Sequence, residues 1–288
     1  MSGAKQFSCF NKPTPVKLPN IPESAYRVSA QIDSTSVPGA FFMQNGWFTE
    51  TFDAPGLIRH DSDELIFFGG GVQSDHENLN AEIEIWIEND KFTITETAVL
   101  YIPAGVAVGN LRISKLDKPV YYYVCQITAP TYQYEPAEAS AEAGKYLPNI
   151  VYRYERPDGQ IPGAPEGFVT FLLYLDSEKA PNAPYMETVW FNTSNDTGPA
   201  PHAHEFDELI GFIGSNPDEP TKLQATVQLD YEGELVTVTE STIAYIPRGT
   251  MHSPILVPEM EKPIYHFSIA NSADYDRDVA ENNEYKPE

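Results

Sequence analysis

Apolar and polar positions alternate with a period of two along much of this chain. Residues 82–87 read Glu-Ile-Glu-Ile-Trp-Ile, and KFTITET (91–97), ATVQLDY (225–231) and LVTVTEST (235–242) keep a similar rhythm. Side chains on a strand point to opposite faces in turn, so this rhythm predicts strands with one wet face. VYYYVCQI (120–127) and PIYHFSIA (263–270) run apolar, rich in aromatic and β-branched residues, and read as strands too. Turn residues separate the runs at Gly69-Gly70-Gly71, Glu88-Asn89-Asp90, Pro103-Ala104-Gly105 and Glu232-Gly233. Many short strands, with 25 prolines and 18 glycines, predict an all-β sandwich or barrel. Helix is scarce. The best candidate is the Ala/Glu-rich segment 136–145, expected to be a linker with a short helix.

The pattern occurs twice. A shift of 144 positions lays DELIFFGG (63–70) on DELIGFIG (207–214), and TITETAVLYIPAG (93–105) on TVTESTIAYIPRG (237–249). KPVY (118–121) falls on KPIY (262–265), and Trp47-Phe48 matches Trp190-Phe191 after a slip of one residue. Such a register implies an internal duplication. Two related domains are expected, 1–145 and 146–288. Each is long enough for a core: Leu65, Ile66, Phe68, Ile83, Ile85 and Ile94 in the first match Leu209, Ile210, Phe212, Val227, Leu229 and Val238 in the second.

The second copy carries the chemistry. His202, His204 and Glu208 lie in PHAHEFDELIGFIG, and His252 lies in YIPRGTMHSP. Imidazole nitrogen and carboxylate oxygen suit a borderline divalent ion. His202 and His204 are two apart, so on a strand they share a face, and Glu208 has the same parity with room for a bend between. His252 comes from a later strand, beyond the Pro-Arg-Gly break at 247–249. A barrel or sandwich is needed to bring these segments together. Three histidines and one carboxylate leave a coordination position open, as a catalytic site requires.

The pattern His-x-His-x-x-x-Glu, followed about forty residues later by Pro-x-Gly-x-x-His, resembles the cupin superfamily. Two copies in one chain resemble a bicupin, over roughly 40–130 and 183–272. The resemblance implies two tandem jelly-roll barrels, each with a central pocket. It assigns His202, His204, Glu208 and His252 as ligands of one divalent transition metal ion (iron, manganese, nickel or zinc) in the C-terminal barrel. The departures concern turns and pocket lining. Asp196 stands where the family often has a glycine, with Gly198 nearby, and Leu256 replaces a later asparagine.

The first copy keeps His60 and Glu64, the counterparts of His204 and Glu208, but has Ile58 and Val108 where the second has His202 and His252. Two ligands rarely hold a divalent ion against water, so no metal is expected there. His60 and Glu64 are expected to form a hydrogen-bonded pair inside an apolar barrel. Binding of an apolar ligand is the alternative. His76 lies in the polar loop VQSDHEN. His266 corresponds to Tyr122 and is either a satisfied strand histidine or a proton shuttle. Tyr245 and Tyr101 correspond, which favours packing. Arg248 replaces Ala104 and is expected to be solvated, with recognition of a substrate carboxylate as the other reading.

Forty-two acidic residues against eighteen basic give a formal charge of −24. Such a surface repels phosphate backbones and anionic membranes, so neither nucleic acid nor membrane is expected as a partner. No apolar run approaches the ~20 residues that cross a bilayer. The N-terminus lacks a secretory h-region, and Cys9 and Cys125 are the only cysteines, so a reduced, cytoplasmic location is expected. The Pro-rich arm 1–25 is expected to wrap across a neighbouring barrel or subunit, which admits a homo-oligomer. The acidic tail 274–288 reads as a solvated end.

The expected function is that of a metal-dependent enzyme on a small organic substrate. By the resemblance it is dioxygenase-like, on an enol, hydroxyketone or aromatic compound. Glu208 is the candidate catalytic residue, able to leave the metal and take a proton. The alternatives are a redox-neutral lyase, decarboxylase or isomerase, and a non-catalytic metal or small-molecule binding protein.

Overall fold

The computed structural model describes residues 14–140, 142, 144–152, 165–273 and 284–285. Among these there is no α-helix, only single 3-10 turns at Gln73–Asp75 and Leu147–Asn149. Among the described residues of 136–145 the expected helix does not form. Residues Glu135–Ala137 (β10) instead pair with strand Phe52–Arg59 (β3), so the segment starts as a sheet edge. Edge pairing satisfies backbone groups that a helical turn would otherwise have to satisfy internally.

The first half builds two antiparallel sheets. Six strands lie in the order β1 (Tyr26–Ile32), β2 (Phe42–Phe48), β9 (Val120–Gln126), β4 (Glu64–Gly70), β7 (Ala98–Ile102) and β11 (Ile150–Val151). The facing sheet runs β10, β3, β8 (Val108–Leu116), β5 (Asn78–Ile87) and β6 (Asp90–Glu96). The second half repeats these pairings. One sheet runs β12 (Val169–Leu175), β13 (Met186–Phe191), β20 (Ile264–Ala270), β15 (Glu208–Gly214) and β18 (Thr242–Ile246). The other runs β17 (Glu234–Glu240), β16 (Lys222–Tyr231) and β19 (His252–Met260). A short pair, β14 (Gly198–Pro199) with β21 (Glu284–Tyr285), completes it. The backbone of 284–285 therefore pairs with the body of the protein, while 274–283 and 286–288 lie outside the described residues, as does the arm before residue 14.

The two kinds of strand pattern have different fates. The alternating strands β5 and β16 sit in the outer sheets and bury every second residue. The apolar strands β2, β4, β9, β13 and β15 are buried at every position. They are covered on both faces because each half presents its inner sheet to the other. Leu65 and Phe67 of β4 face a core shared with Leu209, Ile213, Tyr265 and Phe267, whereas Ile66 and Phe68 face the interior of their own half. The twelve expected core residues are all buried, but Leu65 and Leu209 belong to this shared core.

An aromatic seam runs down the shared core. Tyr121 stacks on Tyr265 with centroids 4.1 Å apart, and Trp190 packs on Tyr265 at 3.8 Å. Trp47 closes on both tyrosines at 5.5 and 5.8 Å. The Tyr265 hydroxyl donates to the Gly70 carbonyl at 2.6 Å, tying the second half to the first. Aromatic pairs of this kind add roughly 0.5–1.5 kcal/mol each beyond their area burial.

Candidate metal centre

Three loops and strand ends of the second half meet at one end of its interior. His202 and His252 form an isolated antiparallel bridge. The chain bends at 205–206 and enters β15 at Glu208, so His202, His204 and Glu208 do not share one continuous strand. The ligand atoms of His202, His204 and His252 lie within 4.8 Å of one another, and all three side chains are buried. Among the described residues this is the group able to hold a metal ion. Glu208, 2% exposed, points its Oε2 at two of them, 3.2 Å from His252 Nε2 and 3.9 Å from His204 Nε2.

The surroundings turn the imidazoles toward a common centre. His202 Nδ1 lies 2.8 Å from the Ala200 carbonyl and His252 Nδ1 lies 3.0 Å from the Thr250 carbonyl. Each Nδ1 therefore carries the proton, and each Nε2 keeps its lone pair for a ligand. The His204 ring stacks on Phe206 at 4.6 Å with planes 9° apart. Glu208 Oε2 makes no hydrogen bond despite its burial. Leaving such an atom unsatisfied costs about 1–3 kcal/mol or more, a cost an ion would remove. Three aligned imidazoles and an orphaned carboxylate oxygen fit a borderline divalent ion.

Electrostatics favour the donor forms of Glu208 and His202, while at His252 a metal ion would compete with a proton. Burial works against the charge of Glu208, but His252, His204 and the Ser268 hydroxyl outweigh it and hold the carboxyl down at about 2. Burial, with His252 beside it, lowers the pKa of His202. Burial also opposes the charge of His252, yet the Glu208 carboxylate raises its pKa overall.

Two residues of this site carry no sequence motif. Ser268, on β20, donates its hydroxyl to Glu208 Oε1 and fixes the carboxylate. Glu187, directly across from Ser268 on β13, is 8% exposed and accepts the Tyr185 hydroxyl at 3.0 Å. A lone acid in the apolar run METVWF was the one available signal for it.

The first half places the corresponding residues differently. His60 Nε2 lies 3.1 Å from Glu64 Oε1, both side chains 2% exposed, and His60 Nδ1 lies 2.7 Å from the Gln133 carbonyl. Ile58 and Val108 pair across β3 and β8 and line a cavity of about 50 Å³ with Glu64, Tyr122 and Val124. Leu18 and Ile21 of the N-terminal arm close one wall, so the described part of the arm covers its own half. His76 contacts the Gln73 carbonyl in its surface turn. Tyr101 donates to Asp63 at 2.9 Å, and burial beside Asp207 pushes Tyr245 up to about 12, so both tyrosines buttress the turn before the ligand loop. Arg248 is exposed and pairs with Glu205 at 2.6 Å, away from the interior.

No family model matches the chain, and no curated protein matches it in sequence. Solved structures do. AerE from Microcystis aeruginosa superposes with a TM-score of 0.52 at 14% identity, covering 91% of this chain and 98% of that one. A deletion mutant of Bacillus subtilis oxalate decarboxylase gives 0.51 at 12% identity, covering 95% and 80%. Lactobacillus farciminis oxalate decarboxylase gives 0.51 at 11%, covering 92% and 89%. These are cupin-fold proteins. The fold is a cupin fold. Identities this low carry the cupin architecture and not an activity. No helix among the described residues is long and apolar enough to cross a membrane.

Proposed function

We propose that the chain is a bicupin enzyme, built of two related domains, with one divalent metal ion held in the second by His202, His204, Glu208 and His252. The observation that carries this reading is the convergence of three buried imidazoles, two with Nδ1 anchored to a carbonyl, on a carboxylate oxygen that lacks a hydrogen bond. When bound, the ion supplies a Lewis acid with an open position for a substrate oxygen. Ser268 holds Glu208 as a ligand. Should Glu208 leave the metal, it is the carboxylate placed to take a proton from a substrate carbon or hydroxyl.

The reaction we favour is dioxygenase-like cleavage of a small enol, hydroxyketone or aromatic compound. The interior supports a substrate of low charge. On β13 and β20 the polar groups of the inner face are Glu187, Ser268 and His266, and neither strand carries a lysine or arginine. A dianionic substrate such as oxalate, the substrate named for two of the structural neighbours, would place its second charge toward Glu187, with no lysine or arginine on β13 or β20 to offset it. Redox-neutral isomerisation or lyase chemistry on a neutral enol is the second reading, since the same donor set serves it.

Elemental mass spectrometry on untagged protein, purified without added metal, tests the site. About one ion per chain is expected. Oxygen uptake by iron-loaded protein with enol substrates then separates the two reactions. Failure to retain any ion after reconstitution would leave a non-catalytic binding protein.

A further inference from the structure

Strand register divides the inner face of the second half into rows. Glu208 faces Ala270 across β15 and β20. One row on, Ser268 sits between Ile210 and Glu187, with Tyr174 beyond. The next row sets His266 between Phe212 and Val189. Successive rows on one face are two residues, or about 7 Å, apart. Ser268 already reaches the ligand row through its hydrogen bond to Glu208. His266 is the next polar group on β20 leading away from the metal centre.

Its setting is not that of a packed core histidine alone. The ring is clasped by Phe191 at 4.5 Å and Phe212 at 5.3 Å, with planes 19° and 22° apart. Nδ1 lies 3.1 Å from the Gly211 carbonyl, so it carries the proton and Nε2 presents a lone pair. Nε2 has no partner among the described residues, and the side chain is half-buried. Burial lowers its pKa to about 4, so the ring is neutral at ordinary pH. The first half shows where this position faces. Tyr122, its counterpart, packs on Phe48 and Phe68 in the same way and lines the cavity.

We propose that His266 is a specificity residue for the substrate of the metal centre, its Nε2 accepting a hydrogen bond from a neutral hydroxyl or amide group at the substrate's far end. The substrate class is then a small planar molecule, with an oxygen chelate at the metal end and a neutral donor at the other. This inference rests on the metal-centre reading above. A carboxylate at the far end finds no donor at Nε2 and passes the Glu187 row on the way. The Phe212 and Phe191 rings hold the imidazole in place, so that the position of Nε2 is fixed before a ligand arrives.

Anaerobic calorimetry with zinc-loaded protein tests this, with 3,4-dihydroxybenzamide and 3,4-dihydroxybenzoate as probes. The two share the chelating end and nearly the same shape, and differ in presenting a donor or an anion at the far end. The amide is expected to bind at least about tenfold more tightly, the size of one well-placed hydrogen bond. His266→Phe keeps the aromatic clasp and removes the acceptor, so the ratio should fall several-fold with zinc content unchanged. His266→Gln, which retains an acceptor oxygen, should recover part of it. Zinc-dependent binding with the same ratio in wild type and His266→Phe would overturn this inference and leave the metal centre standing. Binding that ignores zinc, or no binding of either probe, would overturn this inference, whereas failure of the protein to hold zinc at all would overturn the metal-centre reading beneath it.

Discussion

His202 and His252 exchange backbone hydrogen bonds, N to O at 3.0 and 2.9 Å, so the two imidazoles are carried by one antiparallel pair. Ile58 and Val108 hold the paired positions in the first half, beside His60 and Glu64. The apolar pair has the same kind of backbone support as the two histidines proposed as ligands. The double variant Ile58→His/Val108→His is therefore expected to raise the metal content from about one to about two ions per chain, read by elemental mass spectrometry. Unchanged stoichiometry would show that the two frames differ in more than these side chains.

Single substitutions separate the halves. His252→Ala removes a buried ligand whose Nε2 lies 3.2 Å from Glu208. Affinity should fall by more than the roughly 100-fold that loss of an outer-shell partner brings. His60→Ala should leave the metal content as it is. Equal losses in both variants would contradict a single centre in the second half.

Ser268→Ala keeps every ligand and removes the hydroxyl that fixes Glu208 Oε1. A fall of roughly 10–100-fold in metal affinity is expected, measured by competition with a chelator. Full affinity in the variant would mean that Glu208 is oriented by the fold alone.

The meeting of these histidines was legible before the fold, for a physical reason. A divalent ion would constrain residue type, and the spacing of 202, 204 and 252 belongs to side chains that the fold brings within 4.8 Å of one another. Ser268, Glu187 and His266 left no such record, because serine, glutamate and histidine on strands serve many roles and only register decides what they face. The same limit applies to the core. Alternation marked β5 and β16 correctly as one-sided strands, but β4 and β15 are apolar on both faces because another half covers them. No local pattern distinguishes that from a strand inside a single domain. The helix expected at 136–145 failed because composition favoured it while the free edge of β3 offered backbone pairing.

The His60–Glu64 pair predicts a pH dependence of stability. Burial works to lower the pKa of His60, but Glu64 and the Gln133 carbonyl raise it overall. Folding therefore favours the protonated imidazole. Its contribution is fully present below the ordinary histidine pKa of about 6.5 and is lost as pH rises through the higher folded value. The comparison variant is His60→Gln/Glu64→Gln, which leaves neither buried charge. The stability advantage of wild type over this variant should shrink as pH rises above about 6.5 in urea titrations. An advantage that grows over that range has the wrong sign for this pair.

The aromatic seam means that neither half has a complete surface of its own. Tyr121, Trp47, Trp190 and Tyr265 are at most 1% exposed, and their rings pack together in a core built from both halves. The two halves thus meet as the subunits of a dimer do, each covering the inner sheet of the other. The first half, with Ile58 and Val108 at the positions of His202 and His252, is the wall against which the second packs. What the first half offers its neighbour is a shape, while its own small cavity lies on the other side of that sheet, walled off from the shared core.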